Sequence, residues 1–401
     1  MRLLTRRAII RAIATTTALA AAGCAALLGV DDVGYGGGAD PGDAAVLEGG
    51  IADATTDGLA ASDGPSVDAP IGETDAGPRD GSPTCTGDAA AFTSDPRNCG
   101  SCGHDCRGGI CVMATCVPYV LADDSQVVGV AVSDTTVFWT HVTGTISACD
   151  KHVWLDASVR GTSTEPWGIA VLEGGVPVWA DRANDSPTGV IVQGSATGST
   201  TTPLAPVVGP TWVRAYDRGV YWSGAGPATG GGGGAQVGWV DTTRDAASAA
   251  TQPLDLAVDV TSVYWTAADA IWVMPRGGGA PRKLVTEGAI ALAVRAGNVF
   301  WLAATGGALR TCALPCTGQP QTLGPLAALG GRIAVDDTDV YVARHDPSGA
   351  VLRCSRTGCG GGAVVVKDQM IDLRDIAVDD GAVYWTNYDL SGSRGVWAVV
   401  K

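Results

Sequence analysis

Four histidines (His104, His141, His152 and His345) and three glutamates beyond residue 117 (Glu165, Glu173 and Glu287) are the side chains of this 401-residue sequence best suited to acid–base work. Proton transfer needs such groups to converge within hydrogen-bond reach, and their spacing forces no two of them together. His141 and His345 follow the same kind of strand in two different repeats, so they could sit near one face of a repeat structure; exposed loop histidines are the simpler reading. Cys149 precedes His152 by three residues, a spacing that suits a thiol and its base only if both turn to one side. Cys99 and Cys102 form a CxxC followed by His104 and Cys106, enough for zinc, but zinc would leave three further thiols of the same segment unexplained. Acidic turns recur at Asp134, Asp217, Asp259, Asp336 with Asp337, and Asp379 with Asp380. Asp closing its own turn explains them, since neither an EF-hand loop nor a glycine-aspartate nonapeptide is present to hold calcium. The run from Gly230 to Gly234 lacks the Lys and Ser or Thr of a phosphate cradle. The sequence thus assigns no catalytic residue, no metal site and no cofactor.

The N-terminus is an address. Residues 1 to 24 carry four Arg, a short apolar stretch and small residues before Cys24, the pattern of an export signal rather than a spanning helix. The segment from Thr5 to Arg11 resembles the twin-arginine pattern, a route that carries folded proteins. Ala21, Ala22, Gly23 and Cys24 resemble a bacterial lipobox, which implies lipidation at Cys24 and anchoring to the outer membrane or cell surface. No later stretch reaches eighteen consecutive apolar residues, so a lipid would be the only membrane attachment.

Residues 25 to 83 read as a disordered acidic tether of Gly, Ala, Asp, Pro, Ser and Thr. From Asp31 to Pro83 there are 12 acidic residues against the single Arg79, and Tyr35 is the only aromatic. Such a chain spans roughly 40 Å. Most of the net charge of −15 therefore belongs to the spacer. That charge disfavours nucleic acid as a partner.

Six cysteines follow in residues 84 to 116: Cys85, Cys99, Cys102, Cys106, Cys111 and Cys116. In an exported chain their even number favours three disulfides, with the pairing left open. The surrounding text SDPRNCGSCGHDCRGGICVMATC resembles a short cysteine-rich motif of myxobacterial-type surface lipoproteins. Further along, Cys312 with Cys316 and Cys354 with Cys359 occupy matching places in two repeats and predict local disulfides, each contributing about 2 to 3 kcal/mol. Cys149 holds a similar place in another repeat without a local partner.

The composition explains what must position these groups. Charged residues are 17% and aromatics 6%, yet 12 of the 23 aromatics are Trp, which argues against a helical bundle and for one repeated use of that ring. An aliphatic run, an Asp or Gly turn and an aromatic pair recur seven times, from VAVSDTTVFWT at 130–140 to IAVDDGAVYWT at 376–386. Trp139, Trp179, Trp222, Trp265, Trp301, Val342 and Trp385 share one register, at steps of 40, 43, 43, 36, 41 and 43. Seven units of about 41 residues fill residues 117 to 401. With two more short runs per unit, this predicts an all-β fold, a seven-bladed β-propeller with four-stranded blades. The last unit has only three strands, and Pro118 to Ala122 precede the first without a partner, so that segment should complete blade seven. Adjacent rings in a strand point to opposite faces, so one ring of each pair is expected to pack between blades: Trp139, Trp179, Trp222, Trp265, Trp301, Tyr341 and Trp385.

The aromatic pairs resemble the YWTD motif of low-density-lipoprotein-receptor-type propellers, with copies FWTH, VWAD, YWSG, YWTA, FWLA, YVAR and YWTN; only Asp181 keeps the final Asp. The reading favours a monomeric cell-envelope lipoprotein whose propeller binds a protein, peptide or polysaccharide. The alternative is a lyase- or lactonase-type propeller enzyme working at the central channel. A cluster of His141 or His345 with carboxylates would favour that alternative.

Overall fold

Each aliphatic run and the aromatic run after it form an antiparallel hairpin, as branched and aromatic side chains favour. The register is the same in all seven: Val130 lies opposite Trp139, Ile169 opposite Trp179, Val213 opposite Trp222, Leu256 opposite Trp265, Leu292 opposite Trp301, Ile333 opposite Val342 and Ile376 opposite Trp385. The computed structural model describes residues 91–151, 157–182, 188–224, 236–240, 245–249, 253–328, 330–346, 349–360, 362–389 and 394–401. A third and an outer strand extend each hairpin to a four-stranded antiparallel sheet, giving seven blades. There is no α-helix among the described residues, and so none long and apolar enough to cross a membrane. The export signal with Cys24, the tether, Cys85, His152 and the Gly230–Gly234 run lie outside the described residues.

The first strands form the inner ring: Val127–Val132, Pro166–Leu172, Pro210–Tyr216, Asp255–Val258, Ala289–Arg295, Gly331–Val335 and Leu373–Val378. Each packs beside the first strand of the next blade, and the seventh returns to the first. Blade seven contains Leu373–Val378, Ala382–Asn387 and Gly395–Val400, and Tyr119–Ala122 pairs with the last of these as its outer strand. The segment without a partner in the first repeat therefore closes the ring, and a free edge on that blade's third strand is covered.

Seven apolar clusters fill the seven seams. Each joins the first ring of one blade's aromatic pair to the second ring of the following blade. Phe138 meets Trp179, Tyr221 meets Trp265, Tyr264 meets Trp301, Tyr341 meets Trp385 and Tyr384 meets Trp139. Val178 replaces the first ring in the seam shared with Trp222, and Val342 replaces the second ring opposite Phe300. The expectation of one packed ring per pair is thus too low. Both rings are buried, because the alternation sends them to opposite faces and a neighbouring blade covers each face. Where Val342 stands, five leucines, Leu302, Leu309, Leu323, Leu326 and Leu352, occupy the volume. Several indoles also bond to the loop leading into their own blade: Trp139 Nε1 donates to Asp124, Trp179 Nε1 to Ser163 Oγ and Trp301 Nε1 to Glu287.

The acidic turns join this framework. Oδ1 of Asp259, Asp336 and Asp379 each accepts two backbone N–H groups two and three residues on. Their Oδ2 accepts the hydroxyl of the Tyr five residues later, at 2.8 Å for Tyr264, 3.2 Å for Tyr341 and 3.4 Å for Tyr384. Burial and this bond push the Tyr264 hydroxyl up to about 12. The following blade adds a cation in two cases: Lys401 Nζ lies 2.6 Å from Asp336 and Lys151 Nζ 2.6 Å from Asp379. In the first blade the turn is capped by Ser133, not by Asp134, through its Oγ and the Thr136 amide. Phe138 there has no hydroxyl to offer a carboxylate. Asp217 instead sits at φ 57°, a left-handed turn position that Asp tolerates.

Candidate functional site

The pocket at one mouth of the ring is built where the first strands begin. It has a volume of about 210 Å³ and is lined by Val128, Trp167, Trp212, Gly331, Arg332, His345, Leu373 and Arg374, from blades one, two, three, six and seven. A second depression of about 400 Å³ lies beside the Cys312 loop of blade five, with no charged side chain in its wall.

Two positions in the first strand decide what occupies the ring interior. Opposite the first residue of each pair stands Ala in six blades (Ala131, Ala170, Ala257, Ala293, Ala334 and Ala377), and Arg214 in the third. The residue just before the aligned aliphatic is Gly129, Gly168, Trp212, Asp255, Ala291, Arg332 or Asp375. At Gly129 and Gly168 an added Cβ would lie 2.7 Å from the Trp167 and Thr211 carbonyl oxygens, so neighbouring inner strands leave no room for a side chain. Blades four and seven place Asp there as a bridge. Asp255 accepts the Leu292 amide of blade five, and Asp375 the Val130 amide of blade one, each at 3.1 Å. Thr140 and Thr386, which follow the Trp of their pairs, donate to the Trp167 and Val128 carbonyls of the next blade at 2.6 and 2.7 Å.

Arg332 and Trp212 fill the remaining positions. The Arg332 guanidinium reaches from blade six to blade three and lies 3.8 Å from the Trp212 ring centroid, a cation–π contact. Its Nη1 donates to the Gly331 carbonyl at 3.2 Å, its Nε is buried without an acceptor, and no carboxylate lies within ion-pair distance among the described residues. Burial lowers its pKa, although a guanidinium remains charged. Arg214 by contrast pairs with buried Asp255 at 3.2 Å, and Arg374 pairs with Asp372 at 2.8 Å. Asp375 is buried, and desolvation lifts its pKa to about 6 against the pull of Arg214 and Arg332. Trp167 is held by its Nε1 bond to Glu165 at 3.0 Å and by Arg182 stacked 3.9 Å from its ring.

His345 lies at the pocket. Its Nδ1 is 3.1 Å from the Leu373 carbonyl and 3.5 Å from Asp372, so Nδ1 carries the proton in the neutral ring and Nε2 is left as the basic nitrogen. His141 is not an exposed loop residue. It is buried at the end of a strand, with Nε2 3.0 Å from Asp124 and 3.2 Å from Ser147 Oγ. Although burial opposes it, hydrogen bonds from His141 and Trp139 hold the Asp124 carboxyl below its ordinary value. Glu287 takes Arg310 and Trp301, and Glu173 is exposed in a turn. Of the sequence candidates for acid–base chemistry among the described residues, only His345 reaches the pocket wall.

The cysteines form disulfides Cys99–Cys111, Cys106–Cys116, Cys312–Cys316 and Cys354–Cys359, and Cys102 is also disulfide-bonded. Sulfurs so bonded cannot serve as thiolate ligands, and disulfides mark an oxidising environment. Cys149 keeps its thiol, buried in the seam between blades seven and one. The cysteine-rich segment packs Cys99, Cys106, Cys111 and Cys116 against Val400, and His104 Nε2 lies 2.7 Å from a Lys401 oxygen.

Trp167, Trp212, Arg214, Arg332 and Arg374 escaped the sequence reading. A signal was available for one of them. The run VRAYD of blade three breaks the Ala of the other six copies, and Arg214 stands at the break.

No protein-family model matches the chain, nor does any curated protein sequence. Among solved structures, virginiamycin B lyase from Staphylococcus aureus is similar at 9% identity, over 71% of this chain and 98% of that one, with a TM-score of 0.55. The WD40 β-propeller domain of Doa1 is similar at 12% identity, over 70% and 93%, with a TM-score of 0.53. PorZ, a surface component of the type-IX secretion system of Porphyromonas gingivalis, matches at 14% identity and a TM-score of 0.49 over 70% of this chain; the chain spans 37% of its length. At these identities the likeness is one of fold, and the chain is a seven-bladed β-propeller with four-stranded blades.

Proposed function

We propose that this chain is an exported, lipid-anchored envelope protein whose propeller is a recognition module, taking its ligand at the pocketed mouth of the ring. The address rests on the lipobox-like segment ending at Cys24 and is supported by the disulfides. The YWTD-like pairs and the myxobacterial-type cysteine motif agree with a surface protein and name no ligand. One observation carries the binding reading. His141 and Glu287 are taken up by the framework and Glu165 by Trp167, while the mouth keeps a concave group of Trp167, Trp212, Arg332 and Arg374. The test is binding of envelope polysaccharide and peptide fractions to wild type, to Trp212→Ala and Arg374→Ala at the mouth, and to Val364→Lys on an exposed outer strand. Loss confined to the mouth variants supports the reading; equal binding by all of them overturns it.

One observation favours a second reading, a propeller enzyme. The His345 and Asp372 pair at the pocket would leave Nε2 as a base, and one of the structurally similar proteins is a lyase. Turnover of a screened substrate that disappears in His345→Gln, with binding retained, would establish it.

A further inference from the structure

We propose that the pocket is a subsite for a single carboxylate group, with Arg332 as its anchor. The inference rests on the recognition reading of the same mouth and adds the chemistry of what is recognised.

Three observations converge on it. Among the described residues, Arg332 is the cation of the pocket wall without a carboxylate at ion-pair distance, whereas Arg214 and Arg374 nearby are paired with Asp255 and Asp372. Its stacking on Trp212 covers one face of the guanidinium; Nη1 donates to the Gly331 carbonyl, Nε is buried without an acceptor, and Nη2 has no acceptor among the described residues. A guanidinium so held offers its charge and a hydrogen bond to a carboxylate oxygen. The pocket that reaches it, about 210 Å³, is below the usual range for drug-sized ligands and suits one sugar or amino-acid unit.

The surroundings limit the charge of the ligand. Asp372 and Asp375 lie near the same guanidinium or its neighbours, and buried Asp255 is close enough to favour its charge. A dianion such as phosphate would meet those carboxylates with twice the charge and one unpaired Arg to offset it. A monoanion is matched to the one cation that lacks a carboxylate among the described pocket residues. Two sources present that chemistry on a surface: a uronic acid unit of a polysaccharide and the carboxylate end of a peptide.

The experiment is calorimetric titration of the purified protein with two matched pairs, D-galacturonate against D-galactose and N-acetylglycine against N-acetylglycinamide. At least one acid is expected to bind tenfold or more tightly than its neutral partner. Arg332→Met, which keeps the stem over Trp212, is expected to remove that preference, and Arg332→Lys to keep part of it as a point charge. A preference for the uronate alone identifies the glycan source, and for acetylglycine alone the peptide source. Neutral partners binding as well as the acids, no binding of either acid, or undiminished acid binding in Arg332→Met each overturns the proposal. The acid-against-neutral comparison uses wild type only, so it decides even if Arg332→Met does not fold. Envelope fractions that bind at the mouth while both acids fail would sink this inference and leave the recognition reading standing; acid binding without envelope binding would do the reverse.

Discussion

The Arg332 guanidinium of blade six lies 3.8 Å from the ring centroid of Trp212 in blade three, so two blades that share no seam touch inside the ring. A buried contact of this kind is worth about 0.5–2 kcal/mol. A double-mutant cycle of Arg332→Met with Trp212→Leu, read by denaturant unfolding, is expected to give a coupling energy in that range. Additive effects would mean that the stacking contributes nothing measurable.

Asp375, buried and next to the pocket residue Arg374 in sequence, is expected to give ligand binding a pH response. Burial raises its carboxyl to about 6, while Arg214 and Arg332 pull it down. Its folded pKa exceeds the unfolded value, so it contributes stability that is full below about pH 4 and lost as pH rises through about 6. Ionised Asp375 would also repel the proposed carboxylate ligand, in a field that includes Arg374, Asp372 and His345. Affinity for an acid ligand is expected to rise about threefold to tenfold between pH 7.5 and 5.5, and to stay flat in Asp375→Asn. Titrations of His345→Gln over the same range separate the imidazole, which would carry the response if that variant abolished it.

Asp336 titrates with the opposite sign. Burial would raise its carboxyl, but Lys401 and the amides of Asp339 and Thr338 outweigh it and hold it well below the usual carboxylate range. Stability from this clamp is present above about pH 4 and lost as pH falls further. Asp336→Asn leaves Lys401 without its carboxylate and is expected to cost roughly 2 kcal/mol at pH 7. The difference from wild type should shrink in unfolding curves taken below pH 4.

The seams respond to volume in both directions. Trp385 is fully buried against Tyr341, and Trp385→Ala is expected to cost about 3–5 kcal/mol. Restoring the repeat consensus with Val342→Trp should also destabilise, by about 1–3 kcal/mol, since five leucines already fill that seam. Thermal melts of the two variants check both.

Blade number, hairpin register and the closing strand were legible in the sequence, because each repeats a local pattern or fills a gap in one. The Trp series could be read from spacing alone. Arg332 and Trp212 could not, since 120 positions separate them and no periodicity tells which inner positions meet across a ring. His141 was misread for a related reason: the residue after YWT-type pairs looks like a loop in sequence, yet here it ends the strand and turns toward Asp124. Ser133 has no distinct signal in the sequence, because a hydroxyl can cap the turn that Asp caps elsewhere and Asp134 stands beside it.

The outer strand of blade seven, Tyr119–Ala122, waits for Gly395–Val400 before it has anything to pair with. During synthesis six blades can stack in order as they emerge, but the circle stays open until that late hairpin has been made. Sealing is therefore expected as a single, late event that joins distant parts of the chain, with its loop-closure entropy met at the end rather than blade by blade. A partly synthesised chain would carry an exposed seam on blade one, the face where Trp139 awaits Tyr384.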